Sequence, residues 1–255
     1  MPETTLRVEL LAHTPDPVAL IYAAFRQCYH AGFVADMWPR LLTGDIDADT
    51  QGRFVADILE SGHTSPIEHV SLTFAISGVS RALSHQLVRH RIASYSQQSQ
   101  RYVDGKDFNY IVPPSIAKNQ AALTRFIACM AEIAAAYSDL SDLLADKTAE
   151  NLPKNNAAIA KAKEKIRQDA RFVLPQAAET RLVMTMNCRS LLNFFEERCC
   201  LRAQWEIRAL ANAMLGLAKA AVPVIFDQAG PKCVRLGYCP EGEQFTCGRM
   251  PCRKP

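Results

Sequence analysis

HVSLTFAISGVSRALSHQLVRHR, residues 69–91, changes its periodicity in mid-course. Leu72, Phe74 and Ile76 alternate with Ser71, Thr73 and Ser77, the two-residue repeat of a half-buried strand. From Ser80 the alternation stops, and SRALSHQLVRHR (80–91) reads as a short helix with Ser80 as its cap. A strand thus feeds a helix that delivers Arg89, His90 and Arg91 to its far end. Upstream, LRVELLAHT (6–14) reads as a strand and residues 15–32 as a helix, with Asp16 as N-cap and Pro17 at the first helical position. Residues 47–63 give a second helix ending near Gly62.

Downstream, NYIVPPSI (109–116) reads as a strand stopped by two prolines. Residues 117–149 have apolar helical spacing, and residues 156–175 give a helix closed before Pro175. ETRLVMTMNC (179–188) is strand-like, and residues 189–199 and 201–221 are helices. Strands and helices mix without regular βαβ alternation, so the expected class is α+β. The expectation is a mixed sheet flanked by long helices, in a single compact domain over residues 1–228. A cysteine-bearing C-terminal tail follows over residues 229–255.

The chain has 255 residues, 49% of them hydrophobic and 22% charged, enough to bury a substantial core. A net charge of +3 is too small for a general nucleic-acid binder, so no nucleic-acid partner is expected. No stretch reads as long and apolar enough to cross a membrane, and no membrane partner is expected. The start, MPETTLRVEL, lacks the basic-then-apolar order of a signal peptide, which points to the cytoplasm. Nine cysteines would then be mostly reduced; their odd number, and the adjacent Cys199 and Cys200, argue against a disulfide framework.

Past the short helix the composition is unusual. No acid lies between Arg89 and Tyr102. Guanidinium groups bind phosphates through paired donors, and hydroxyl and amide groups satisfy a base or a sugar. Arg89, Arg91, Ser94, Ser96, Gln97, Gln98, Ser99 and Arg101 are therefore an inventory for an anionic, heterocyclic ligand. Tyr95 and Tyr102 could cover a ring, and His90 could donate to a phosphate or titrate. A solvated loop with surface ion pairs is the plainer alternative.

Arg89-His90-Arg91, seven residues and then Ser99, within RHRIASYSQQSQRY, resembles the signature of the flavin-dependent thymidylate synthases. AAFRQCY (23–29), GHTSPIEH (62–69), ARFVLP (170–175) and MNCRSLLNFFEERCCLRAQWEI (186–207) resemble further blocks of that family in order, so the similarity spans roughly residues 1–225. The resemblance implies that deoxyuridylate (dUMP) is methylated to thymidylate (dTMP). It also implies 5,10-methylenetetrahydrofolate as carbon donor and FAD reduced by NADPH as hydride source. It further implies a homotetramer with shared active sites.

Carried over residue by residue, the resemblance implies that Gln86, Leu87, Val88, Arg89, Gln97, Gln98, Ser99, Gln100, Arg101, Arg171 and Arg198 contact the nucleotide. Arg101 is the candidate for its 5′-phosphate. FAD would meet Ser65, Arg89, His90, Arg91, Gln97, Asn187, Cys188, Arg189 and Asn193. His63 and Arg202 would fall in the folate or NADPH region. Arg198 is the catalytic candidate, because a fixed cation beside the uracil ring stabilises negative charge there and makes C5 more nucleophilic. Pairing of Arg198 with Glu196 or Glu197 is the competing reading. Gln86 is placed one helical turn before His90, facing the same pocket. Asn187 could cap the following helix. Asn193, set among Leu191, Leu192, Phe194 and Phe195, reads as a buried amide in need of a partner. Ser65 with Glu68 has the pattern of a capping box. Ser99 has no assured neighbouring base, which favours a ligand role over a nucleophile. Many family members carry Glu at Gln97 and His at Arg202, so roles that need those groups are altered here.

Cys233, Cys239, Cys247 and Cys252 could together ligate zinc, but their spacing is irregular and lacks a Cys-x-x-Cys pair. The expectation is a surface tail without metal. Two other functions compete: a non-catalytic nucleotide- or RNA-binding module, and the folate-only type of thymidylate synthase, which needs a nucleophilic Cys that none of the nine is set up to be.

Overall fold

β1 (Arg7–His13), β2 (Ser71–Ser80), β3 (Ser94–Gln97) and β4 (Glu179–Asn187) form a four-stranded sheet in the order β1-β2-β4-β3. The computed structural model describes residues 3–149 and 155–253, the side chains of 146–149 excepted. The first helices are α1 (Pro17–Tyr29), α2 (Trp38–Thr43), α3 (Ala48–Glu60), α4 (Arg81–Leu87), α5 (Pro114–Ala117) and α6 (Gln120–Ala149). The later ones are α7 (Asn156–Ala170), α8 (Cys188–Arg198), α9 (Trp205–Ala221), α10 (Pro223–Phe226) and α11 (Lys232–Leu236). The class is α+β, as expected, but the sheet is antiparallel throughout rather than mixed. Register shows why: Thr73 meets Thr185 through their hydroxyls, 2.9 Å apart, and Gly78 N donates to Glu179 Oε1 at 3.1 Å. One strand advances while its neighbour retreats, which only antiparallel pairing allows.

The alternation read in the sequence sets the buried faces. Leu72, Phe74 and Ile76 of β2, and Leu182, Met184 and Met186 of β4, are all buried. Each large apolar side chain so buried contributes about 1.5–3 kcal/mol. β3 was not expected as a strand. Its burial alternates between exposed and half-buried, and its residues are polar, so its own periodicity carries no apolar signal.

The chain packs as two compact units. The first comprises the described parts of Met1–Arg7, Ser77–His85 and Ser96–Leu182. Its core joins Phe108, Tyr110, Val112 and Ala178 to Leu123, Phe126, Met130 and Ile133 of α6. The strand expected over 109–116 is only a pair of isolated bridges at Tyr110, to Glu3 and Ala178, after which Pro113 and Pro114 open α5. Proline lacks the ladder donor, which limits pairing to that single residue. Gly78 adopts φ 67°, and a Cβ there would sit 1.8 Å from the Thr5 carbonyl oxygen, so the site admits only glycine. One stripe of α6 is core, while Ile127, Leu140 and Leu143 are exposed. Residues Gln120–Ala145 reach a mean hydropathy of 1.2, so by length and composition this helix could cross a membrane, contrary to the expectation that no stretch could.

The second unit comprises Val8–Ile76, Gln86–Tyr95 and the described part of Val183–Pro255. Here α1 packs on α3, α8 on α9 and α11, and α9 on α10. Phe194, Phe195 and Phe226 are fully buried and stack in series, with neighbouring ring centroids 5.8 Å apart. The cysteine-rich segment folds back onto this unit instead of forming a free tail. Arg235 pairs with Glu196, Lys232 with Glu197 at 3.2 Å and Arg202 with Glu241.

Candidate active site

The turn that carries the cations begins where α4 ends. Ser80 Oγ accepts from Leu83 N at 3.0 Å, the expected cap. The helix stops at Leu87, and Arg89 N and His90 N donate to the carbonyls of Gln86 and Leu87 at 3.3 and 3.1 Å. The Tyr95 hydroxyl lies 2.8 Å from Leu87 O and 3.0 Å from His90 O, so its single hydrogen is shared across the turn. Burial pushes the Tyr95 phenol up to about 12, which keeps it a neutral donor. Because His90 lies outside the helix, Gln86 is not stacked one turn beneath it, and the expected shared helical face does not exist. The Leu87 side chain is core, Val88 is exposed, and Arg89 and Arg91 point to solvent-exposed positions.

Arg198, at the end of α8, returns to this turn. Its Nε donates to His90 Nε2 at 3.0 Å, so His90 is neutral with its proton on Nδ1. The His90 ring meets the Phe194 ring edge-on, centroids 5.0 Å apart. Partial burial holds the His90 pKa below its usual value, and the Arg198 cation lowers it further; Glu197 opposes both only in part. Glu196 and Glu197 are engaged by Arg235 and Lys232, so the competing pairing of Arg198 with either is not formed. Among the described residues the Arg198 Nη groups carry no hydrogen bond, and they remain available to a ligand.

Beside His90 lies a cavity of about 470 Å³ lined by Arg91, Asn187, Arg189, Asn193 and Glu68. Asn187 caps α8, its Oδ1 accepting from Ser190 N at 2.8 Å. Asn193 corrects the sequence reading: it is exposed, not buried, because α8 turns Leu191, Phe194 and Phe195 inward and leaves position 193 facing out. Cys188 is fully buried, with its thiol pushed up to about 12 and its amide donating to Val70 O, so it offers no side chain to a ligand. Arg189 pairs with Glu68. A second hollow of about 320 Å³ gathers His63, Ser65 and Arg189. Ser65 opens a single turn of 3-10 helix over Ser65–His69, whose cap is Thr64 without a side-chain bond, so the expected capping box is absent: Glu68 is taken by Arg189. Arg202 is occupied by Glu241 and stacks over Phe245, 4.6 Å from the ring centroid.

The first unit holds the other candidates. Gln97 Nε2 donates to Thr180 Oγ1 at 3.0 Å, and Gln98 N to Arg181 O at 2.8 Å. Gln98, Ser99 and Gln100 line a cavity of about 230 Å³. Ser99 Oγ accepts from Arg101 N at 3.2 Å. Arg101 is ion-paired with Glu164, while its Nε is buried without a hydrogen-bond partner. Arg171 stands near a residue the sequence reading passed over. Arg81 is partly buried, and its pKa is lowered by burial and by the Arg171 charge. Among the described residues neither arginine has an acidic partner. The available signal was the placement of Arg81 in the first turn of a helix, where the macrodipole disfavours a cation.

Residues 9–224 match the family model described as thymidylate synthase complementing protein. A flavin-dependent thymidylate synthase from Nitratidesulfovibrio vulgaris is 63% identical over 254 residues, covering 100% of this chain and 99% of its own. Another from Clostridium tetani is 46% identical over 244 residues, covering 96% and 94%. The crystal structure of the UMP/dUMP methylase PolB from Streptomyces cacaoi, bound with 5-Br dUMP, superposes with a TM-score of 0.67. That likeness covers 88% of this chain and 94% of the other at 21% identity, and it speaks for the fold alone. By extent and identity, this chain belongs to the flavin-dependent thymidylate synthase family.

Proposed function

We propose that the protein converts dUMP to dTMP, taking its carbon from 5,10-methylenetetrahydrofolate and its reducing equivalents from NADPH through FAD. The observation that carries this reading is the His90–Arg198 hydrogen bond beside a cavity walled by Arg91, Arg189 and Asn193. It ties the Arg198 guanidinium to His90, which lines that site of cations and amides. FAD fits that donor set: His90, Arg91 and Arg189 would meet its phosphates, with Asn193 and Ser65 at its polar edges. When bound, FAD supplies the hydride-carrying chemistry, and the protein positions and polarises the substrate.

Arg198 acts on the uracil ring. Its Nη donors stabilise charge building on the ring oxygen and N3 as C5 attacks the incoming carbon. Gln98, Ser99 and Gln100 bind the nucleotide through amides and a hydroxyl, and Ser99, whose Oγ accepts from Arg101 N, serves as a ligand. For the 5′-phosphate, Arg171 and Arg81 join Arg101 as candidates, because Arg101 is already engaged by Glu164. The Gln97 amide, bonded to Thr180, takes a neutral part where many family members have a carboxylate. Exposed Ile127, Leu140 and Leu143 on α6 favour assembly with further copies of the chain, as a homotetramer, over insertion in a membrane. A cytoplasmic enzyme is the corresponding placement.

The test is anaerobic: purified protein with FAD, dUMP, methylenetetrahydrofolate and NADPH, assayed for dTMP. Arg198→Ala is expected to keep its flavin and lose at least about a hundredfold in turnover, the scale for removing one electrostatic donor. Production of no dTMP by the flavin-loaded wild type refutes the assignment.

A further inference from the structure

Another cavity of about 320 Å³, in the second unit, is lined by Cys200, Cys233, Cys239 and Cys247. These four of the nine cysteines come from separate places: just past α8, on α11, and from the irregular segment that follows it. The sequence spacing suggested Cys252 as the fourth thiol; the structure brings in Cys200 instead. Cys188 and Cys199, by contrast, are core residues with thiols pushed up to about 12 and about 11 by burial. We propose that Cys200, Cys233, Cys239 and Cys247 bind one thiophilic divalent cation, zinc by ligand chemistry, and that this ion fastens the C-terminal segment beside Arg198.

Three observations support it. Four sulfur ligands are the donor set of a closed structural zinc site, and they select soft cations over magnesium or calcium. The four residues also share that one cavity, and Cys233 and Cys239 are buried. A divalent cation displaces the thiol protons as it binds, giving the thiolate ligands that zinc takes. Finally, residues 237–253 contain no helix or strand beyond a bridge between Cys239 and Cys252, in which Cys239 N donates to Pro251 O at 2.7 Å. Yet Cys239 is buried. Partly exposed ion pairs such as Arg202–Glu241 hold such a segment weakly, whereas a structural metal contributes folding free energy outright. Arg198 lines the same cavity, two residues before Cys200.

Among the described residues no three His, Cys, Asp or Glu side chains already stand at metal-holding distance. Binding must therefore draw the thiols inward and close the segment over the ion, and that closure is measurable. Full-length protein is purified from zinc-supplemented culture, dialysed against metal-free buffer, and its zinc determined by atomic absorption. The expected result is about one zinc per chain, lost in Cys200→Ser and Cys247→Ser and kept in Cys129→Ser. Chelation of wild-type zinc should expose residues 237–253 to protease while FAD stays bound. Cobalt added to the stripped wild type should give the intense visible bands of a tetrahedral thiolate site, which tests the proposal even if the serine variants fail to fold. Zinc well below one per chain with no thiolate bands from cobalt, retention of zinc in both serine variants, or a Cys239–Cys252 disulfide in the purified protein overturns the proposal.

Discussion

His90→Phe isolates what the imidazole does for Arg198. The ring remains, so the edge-on packing against Phe194 is kept, but the acceptor 3.0 Å from Arg198 Nε is gone. A hydrogen bond to a charged group contributes about 1.5–3 kcal/mol; with both partners only partly buried, the lower end applies. At about 1.4 kcal/mol per factor of ten, an Arg198 released from that constraint should lower kcat about tenfold. His90 is also a proposed flavin contact, so turnover is measured with FAD raised until the flavin absorbance of the protein saturates. His90→Gln, whose Oε1 can stand near the position of Nε2, should recover most of the loss. Two results refute the reasoning: His90→Phe within twofold of wild type at saturating FAD, or His90→Gln no better than His90→Phe.

The same residue gives a pH dependence. His90 is a base whose folded pKa lies below its unfolded value of about 6.5, so between the two the unfolded chain binds more protons. Stability contributed at His90 is full above that unfolded value and declines as pH falls through the window below it, where Nε2 also ceases to accept from Arg198. The stability advantage of wild type over His90→Phe, read from urea midpoints, should shrink between pH 7.5 and pH 5, and a constant difference contradicts the tautomer assigned here. Arg81→Ala should raise the KM for dUMP about tenfold, the loss of one charged hydrogen bond, with kcat nearly unchanged; an unaltered KM removes Arg81 from the phosphate site. Gly78→Ala should cost at least about 3 kcal/mol, from left-handed strain and overlap with the Thr5 carbonyl, and a urea midpoint equal to wild type would show that the strand relaxes there.

Much of this could be read from periodicity, because β2, β4, α3, α8 and α9 each bury one regular face. Asn187 and Ser80 were legible as caps, since an N-cap is a local event decided by the next three residues. Other features rest on partners distant in sequence. β3 is polar and exists by pairing with β4, which no local pattern announces. α4 ends at Leu87, where the Tyr95 hydroxyl holds the carbonyls of the turn, so the helix did not run on to His90. Asn193 misled because its sequence neighbours are apolar, whereas helical neighbours three and four positions apart define its surroundings. Arg81 and Cys200 had no motif to mark them and stand out only through what the fold sets beside them.

α8 is a measuring rod. Its capped end at Asn187 borders one cavity, its other end carries Arg198, and its 11 residues fix the span between them at about 16 Å. Deleting or inserting a single residue along it would swing Arg198 through roughly 100° about the axis and aim the guanidinium away from His90. The length of this helix should therefore be invariant under any drift in composition, even where individual positions along it are exchanged.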